Sequence, residues 1–328
     1  MNDNFKKTNR ISMLQQLLIN GSEQTIMING DDRSNPLLLF LHGGPGTPQI
    51  GYARKYQNKL EKHFTVVNWD QRGAGLSYSK EIPGSSMTLD QLTADTIHLT
   101  ERLCKQFSRQ KIYIAGYSWG SVLALHVLQE RPDLYYAYIG ISQVVNIQKE
   151  ETEAYRLMME WSRQRKHFLL EKTLSFIGAP PWEKQLQRTL FLLCIEMRGG
   201  GFTHHPIGAL KAGGRMLFGE PYGVRGSFLA ARGQMFSLKH LWEDLIFFDA
   251  GESVSSIIIP CCFMSGRYDL TVPGTTSYEY YQKVDAPYKE WHWFENSAIR
   301  LTWRNRIALP KLSAGSHRSI SERKQAYP

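Results

Sequence analysis

The stretch that decides the fold is KIYIAGYSWGSVLALHVLQE, residues 111–130. Residues 111–115 form a short apolar run typical of a buried strand, and residues 118–130 have the composition of a helix that ends before Pro132. Between them lies a Gly-Tyr-Ser-Trp-Gly turn. A strand–turn–helix with this pattern exposes a serine hydroxyl at the carboxyl end of a sheet, and its two glycines allow a tight turn. Ser118 is therefore the candidate nucleophile, and a serine that only caps a helix is the alternative.

A second glycine-rich turn lies upstream, directly after the buried strand predicted over residues 36–41. It reads HGGPG at positions 42–46. The backbone N–H groups of Gly43 and Gly44, together with that of Trp119, would form an oxyanion hole for a tetrahedral intermediate. The alternative, a glycine-rich turn without function, is disfavoured because two such turns follow two strands that we expect to be neighbours.

An acidic residue, Asp269, follows an apolar strand predicted downstream over residues 256–265. A carboxylate at a strand end can orient a histidine and stabilise its charged form. The chain order, serine before aspartate, is that of the hydrolase fold. We therefore expect Ser118 and Asp269 at the ends of neighbouring strands, within reach of one common imidazole. A simple turn aspartate is the alternative.

Strands and helices alternate along most of the chain, which predicts an α/β fold with a mostly parallel central sheet and helices on both faces. The further strands are expected at 64–69, 136–142 and 289–294, an edge strand at 24–29, and helices at 89–107 and 275–284. The alternation stops in a long, charged, helical block. We therefore predict a hydrolase core in two parts, 1–144 and 250–298, with a helical cap inserted at 145–249 and an aberrant basic tail at 299–328.

The composition argues against several partners. The 328 residues carry a formal charge of +9, but residues 299–328 alone hold seven Lys or Arg and a single acid, so nucleic acid is not an expected partner. No apolar run is long enough to span a bilayer, and the N-terminus lacks the features of a signal peptide. The four cysteines form no CxxC pair. These features predict a cytoplasmic protein with buried thiols, no metal, no cofactor and no membrane partner.

Five motifs together resemble the proline iminopeptidase family of α/β-hydrolases, from about residue 20 to residue 298. They are HGGPG at 42–46, DQRGAGLS at 70–77, GYSWGS at 116–121, GRYDLTVP at 266–273 and WFENSA at 293–298. The resemblance implies the α/β-hydrolase fold with an inserted cap. It also implies metal-independent removal of an N-terminal residue, often proline, from short peptides through an acyl-enzyme on Ser118. The carboxylates that would hold the substrate's amino group are not assigned.

The resemblance places the catalytic histidine directly after WFENSA, where this chain has Ile299. His292 is no natural replacement, because seven extended residues span about 23 Å. His42 belongs to the glycine-rich turn. The remaining histidines lie on other elements or in the tail, at positions His63, His98, His126, His167, His204, His205, His240 and His317.

The segment after residue 298 also departs from the family pattern, which is His-x-Pro-x-x-Glu-x-Pro followed by an amphipathic helix. One choice of synonymous codons for IRLTWRNR at 299–306, read with one nucleotide inserted in front, encodes His-Ser-Pro-His-Met-Glu-Glu-Pro. We therefore predict that a single-nucleotide deletion replaced the C-terminus from residue 299 onward and impaired this copy. An esterase or other small-molecule hydrolase on the same fold, and a non-catalytic pseudoenzyme, remain as alternatives.

Overall fold

The structure is a computed structural model that describes residues 9–182, 184–201 and 220–299. Within this part, eight strands form one sheet in the order β1-β2-β4-β3-β5-β6-β7-β8. The strands are β1 (Ile11–Ile19), β2 (Ser22–Gly30), β3 (Leu37–Leu41), β4 (Thr65–Asp70), β5 (Ile112–Tyr117), β6 (Tyr135–Ile141), β7 (Cys261–Gly266) and β8 (Lys289–Phe294). In this order, every pair of neighbouring strands from β4 to β8 is parallel. β2 pairs antiparallel with both of its neighbours, β1 and β4. The predicted mostly parallel sheet is confirmed.

The edge of the sheet is not where the sequence placed it. We predicted an edge strand at 24–29, but β2 is flanked by β1 and β4, and β1 forms that edge. The prediction was wrong because most of the residues of β1 are exposed or half-exposed, so its sequence lacks the apolar run of a buried strand. β2, in contrast, is buried along almost its whole length.

Helices follow the strands and cover the sheet. They are α1 (Ile50–Tyr56), α2 (Leu89–Gln106), α3 (Trp119–Glu130), α4 (Ile147–Gln164), α5 (Phe168–Ile177), α6 (Gln185–Arg198), α7 (Gly223–Ile246), α8 (Ala250–Ser253) and α9 (Gly274–Lys283). The helices α4 to α7 all lie between β6 and β7 in the chain, in the block predicted as a cap. Residues 202–219 of that block lie outside the described part, as do residues 300–328 of the predicted tail. In the described residues, no helix is both long and apolar enough to cross a membrane.

The two faces of the sheet are covered unequally. The larger apolar core lies on the face that packs against α2, α3 and α9. The second core is smaller and includes Phe40, Leu60 and Phe64. On that side Tyr136 keeps 41% of its surface exposed, and β8 is half-buried for five of its six residues. The described residues thus leave part of the second face open.

The motif at 70–77 holds the core and the cap block together. The Arg72 guanidinium bonds to the Asp95 carboxylate on α2 at 2.7 Å, and both side chains are buried. Asp70 accepts a hydrogen bond from the Tyr222 hydroxyl, just before α7, at 2.8 Å and one from the Leu76 N–H at 2.9 Å. Burial raises the pKa of Asp70 to about 7, although these hydrogen bonds oppose the rise. This motif is structural, because it links the end of β4 to α2 and α7.

Candidate active site

Ser118 stands at a sharp turn between β5 and α3. Its backbone has φ 50° and ψ −122°, a conformation that a residue with a Cβ rarely adopts. The turn is held on both sides: the Ser118 N–H donates to the Ile141 carbonyl at 3.0 Å, and its own carbonyl accepts from the Ser121 N–H at 2.7 Å. The Ser118 side chain makes no capping hydrogen bond. The geometry therefore argues against a serine that only caps the helix.

The two glycines of the GxSxG pattern are required by close contacts. A Cβ at Gly116 would lie 2.5 Å from the Gly120 carbonyl oxygen, and a Cβ at Gly120 would collide with the Leu41 carbonyl at the end of β3. β3 and β5 are neighbours in the sheet, as the sequence predicted. The turn that carries the serine is therefore packed directly against the turn at 42–46.

The turn after β3 brings Gly43 against the nucleophile. A Cβ at Gly43 would lie 3.2 Å from the Ser118 Cβ, and Gly44 has φ 122°, in the region that favours glycine. Trp119 is the first residue of α3, where N–H groups are free of intrahelical partners. The three residues predicted for an oxyanion hole, Gly43, Gly44 and Trp119, therefore lie in the two turns that meet at Ser118.

His42 is part of this turn and is buried. Its Nε2 accepts the Gln71 N–H at 3.1 Å, and Nδ1 lies 2.9 Å from the Gly43 carbonyl oxygen. An accepting Nε2 leaves the proton on Nδ1, which donates to that carbonyl. Burial lowers the pKa of His42 to about 4. Both nitrogens are engaged and the ring is neutral at pH 7, so His42 stabilises the turn and is not available as a base.

Asp269 lies just beyond β7 and is buried. Its Oδ1 accepts the N–H groups of Thr271 at 3.0 Å and Val272 at 2.9 Å. Its Oδ2 is buried and accepts no hydrogen bond of good geometry from the described residues. Burial raises the pKa of Asp269 to about 7, against the opposing effect of Val272, Ser142 and Thr271. Oδ2 therefore has no well-aligned donor among the described residues and is able to accept a hydrogen bond from an imidazole.

The relative placement of Ser118 and Asp269 differs from our prediction in one respect. β6 lies between β5 and β7, so the two residues follow strands that are one strand apart rather than adjacent. The strands are parallel, and both residues therefore lie on the side of the sheet where the carboxyl ends of the strands meet. The order of strands in a sheet does not follow the order in the chain, which is why the sequence missed the intervening strand.

Ile299 also lies at the carboxyl ends of the strands. The segment before it runs against the end of β7, where the Tyr268 N–H donates to the Ser297 carbonyl at 2.9 Å. The Ile299 N–H donates to the Gly201 carbonyl at 3.2 Å, and its carbonyl oxygen lies 3.4 Å from the hydroxyl of Ser142, just after β6. Its side chain is buried in the larger core. An apolar side chain thus occupies the position next to the strand ends of β6 and β7.

A cavity of about 260 Å³ opens beside Ser118, Trp119 and Gly44. Helices α4, α6 and α7 supply most of its other lining residues, with Phe191, Ile195 and Trp242 among the apolar ones. The residues that line it in the described part of the chain include no histidine. His204, His205 and His317 lie outside the described residues.

Three charged side chains that the sequence reasoning missed line the cavity. Glu151 and Arg188 form an ion pair at 2.6 Å, with Arg188 only 6% exposed. Glu150 is buried; its Oε1 accepts the Val145 N–H at 2.7 Å, whereas Oε2 has no partner among the described residues. Burial raises the pKa of Glu150 to about 8 and also raises that of Glu151, for which Arg188 opposes the rise. These residues lie on two helices that are distant in the chain, so no local sequence pattern identifies them.

Comparisons with known proteins identify the family of this chain. The profile of the family described as "Serine aminopeptidase, S33" matches residues 34–177. The chain is 53% identical over 288 residues to "Probable aminopeptidase YbaC" of Bacillus subtilis (strain 168), covering 88% of this chain and 91% of the relative. It is 24% identical to the proline iminopeptidase of Heyndrickxia coagulans, covering 80% of this chain and 83% of the relative.

A solved structure supports the fold. A proline iminopeptidase-related protein of Thermus thermophilus matches with a TM-score of 0.63 at 19% identity, over 89% of this chain and 91% of that one. The predicted architecture and the resemblance read from the five motifs are both confirmed.

Proposed function

The chain belongs to the serine aminopeptidase S33 family of α/β-hydrolases, and from that premise we propose that it is an aminopeptidase scaffold impaired by the loss of its general base. In this proposal Ser118 attacks the carbonyl carbon of the substrate's first residue, the C–N bond to the second residue breaks, and the rest of the peptide leaves as an amine after taking up a proton. The acyl-enzyme that forms is then hydrolysed by water. The N–H groups of Gly43, Gly44 and Trp119 bind the oxygen that becomes negative.

The observation that carries the proposal is the side chain at position 299. Oδ2 of Asp269 is buried and accepts no hydrogen bond of good geometry from the described residues, so it is able to receive an imidazole N–H. Ile299, anchored at the same strand ends, can neither donate to that oxygen nor take the proton of Ser118. A neutral serine hydroxyl without a base is a poor nucleophile, and loss of a triad member typically costs about 10⁴- to 10⁶-fold in rate.

We assign the recognition of the substrate's amino group to the acidic side of the cavity. Glu150 offers a buried Oε2 that has no hydrogen-bond partner in the described part of the chain, and Glu151 is fixed by Arg188. A protonated amine in this cavity would favour the ionised form of Glu150 and compensate for the cost of its burial. The apolar walls formed by Phe191, Ile195 and Trp242 would receive a small apolar first residue such as proline or alanine.

The test compares the turnover of prolyl and alanyl arylamides by three proteins: the unmodified chain, Ile299→His, and a frame-restored protein with one nucleotide inserted before codon 299. We expect little or no turnover by the first, partial activity in the second and full activity in the third. Ser118→Ala in the frame-restored protein is the control and should abolish activity. Robust turnover by the unmodified chain that Ser118→Ala removes would show that another residue acts as the base.

A non-catalytic binder is the second candidate, and Ile299 also favours it, because the cavity is present although no histidine lines it in the described residues. Binding of a prolyl or alanyl amide to the unmodified chain, with an affinity close to that of the frame-restored protein and no turnover, would support it. The same set of proteins also distinguishes an esterase from an aminopeptidase. A frame-restored protein that hydrolyses short acyl esters but no arylamide would contradict the aminopeptidase assignment.

A further inference from the structure

Three side chains of metal-binding types meet on the last two strands of the sheet. β7 and β8 run parallel, with Cys262 opposite Glu290 and Met264 opposite His292. Side chains alternate between the faces of a strand, so Glu290 and His292 share one face. The Cys262 sulfur, a carboxylate oxygen of Glu290 and an imidazole nitrogen of His292 all lie within 4.8 Å of one another. All three therefore lie on one face of the sheet.

This donor set fits a divalent cation of borderline softness. Thiolate, imidazole and carboxylate are the three ligand types that Zn²⁺ takes in proteins. In a tetrahedral site, ligand atoms about 2.0–2.3 Å from the metal are roughly 3.5 Å from one another. His292 Nε2 and Glu290 Oε2 are already 3.2 Å apart. The sulfur lies within 4.8 Å of both atoms, so it has to approach by at most about 1.3 Å to complete such a site.

The surroundings of the three residues suit an ion that enters from solvent. Cys262 is fully buried at the base, while the side chains of Glu290 and His292 keep 28% and 40% of their surface exposed. They lie on the second face of the sheet, which the described residues cover only in part. The Tyr288 hydroxyl donates to Oε1 of Glu290, which leaves Oε2 directed at His292. Such an outer hydrogen bond fixes the orientation of a ligating carboxylate.

We propose that Cys262, Glu290 and His292 bind a divalent cation of the Zn²⁺ class, which fastens the edge strand β8 to β7. Three protein ligands leave a fourth position for water. The site is separate from the cavity beside Ser118, since none of the three lines that cavity. The sequence pointed away from a metal because its cysteines form no CxxC pair, but these ligands come from two strands that are distant in the chain.

The test is a titration of the untagged, metal-free full chain with Co²⁺, which gives a near-ultraviolet charge-transfer absorption when a thiolate binds it. We expect one equivalent to bind with this absorption. Cys262→Ser should abolish the absorption, and His292→Ala should weaken binding by about 10- to 100-fold. Cys261→Ser is the matched control, because the adjacent Cys261 is equally buried but belongs to the core on the opposite face, and it should bind Co²⁺ unchanged.

A second readout is thermal. Zn²⁺ should raise the Tm of the unmodified chain and of Cys261→Ser, but not that of Cys262→Ser, because only a protein that binds the ion when folded is stabilised by it. The proposal is overturned if no charge-transfer absorption develops, or if it persists in Cys262→Ser. If Cys262→Ser does not fold, the test uses His292→Ala, since His292 is half-exposed. A Co²⁺ affinity of His292→Ala equal to that of the unmodified chain then overturns the proposal.

Discussion

Buried carboxyl groups near the cavity make the stability of this protein depend on pH. The pKa is raised to about 7 in Asp70 and Asp269 and to about 8 in Glu150, in each case mainly by burial. An acid whose pKa is higher in the folded state binds more protons there than in the unfolded chain. Its contribution to stability is therefore fully present below about pH 4 and is lost as the pH rises through about 7 to 8.

Glu150→Gln should remove one part of this pH dependence. Glutamine keeps an oxygen for the Val145 N–H, cannot ionise, and puts an amide where Oε2 has no partner in the described residues. Relative to the unmodified chain, we expect the variant to gain about 4 kcal/mol more at about pH 8.5 than at about pH 5, since the pKa of Glu150 is raised to about 8 in the folded state. Urea unfolding at both values measures the difference. Glu160→Gln, at an exposed position of the same helix, is the control, and equal effects of Glu150→Gln at the two values would contradict the assignment.

Ser118 itself should limit the stability of the fold. Its φ of 50° costs a residue with a Cβ about 1–3 kcal/mol, and its side chain caps nothing. Glycine adopts this conformation freely but loses more entropy on folding. Ser118→Gly should therefore stabilise the chain by a net amount of about 1 kcal/mol in urea unfolding. Ser118→Ala, which keeps the Cβ, should not, and a stability of Ser118→Gly at or below that of Ser118→Ala would contradict the strain argument.

At the scale of helices and strands, the sequence predicted best what an apolar run or a compact motif encodes. The strand expected at 289–294 is the observed β8, and the turns around Ser118 and at 42–46 meet as predicted. The sequence-based prediction was wrong or incomplete for features that depend on residues distant in the chain or that lack an apolar run. β1 is an exposed edge strand without an apolar run, and the strand order that separates Ser118 from Asp269 is set by long-range packing. The charged residues of the cavity, similarly, become neighbours only when α4 and α6 pack.

Arg188 holds three helices of the cap block in place. Arg188 lies on α6 and forms an ion pair with Glu151 on α4. Its guanidinium carbon lies 5.0 Å from the ring centre of Trp242 on α7. Arg188→Met should cost about 3 kcal/mol, because it leaves Glu151 buried without a countercharge. The double variant Arg188→Met/Glu151→Gln should recover most of this loss.

Hydrogen exchange measured by mass spectrometry should show faster exchange in α4, α6 and α7 of Arg188→Met, with β3 to β7 unchanged. Arg156→Met is the matched control, because Arg156 makes exposed ion pairs on α4 worth less than about 1 kcal/mol. A loss spread evenly over the sheet would contradict a role confined to the cap helices.

For the whole molecule, the open part of the second face predicts that the C-terminus matters for stability as well as for catalysis. In the described residues Tyr136 and β8 are only partly covered, and we expect the amphipathic helix of the frame-restored protein to cover them. We expect its Tm to exceed that of the unmodified chain by about 5 °C or more, and its binding of an apolar dye to fall. A chain that ends at Ile299 is the control and should resemble the unmodified chain. Equal Tm values for all three proteins would contradict this account of the tail.

The strained turn at Ser118 also bears on the history of the gene. A conformation that lowers stability is retained while selection on activity outweighs its cost, and a single substitution at such a position can raise stability once the activity is no longer selected. If the base has been lost from the natural gene, nothing maintains a serine at this turn, and drift towards glycine is favoured. Under the proposed loss at codon 299, an intact Ser118 with both glycines of its turn in place would mean that the change is recent compared with the divergence of this chain from its relatives.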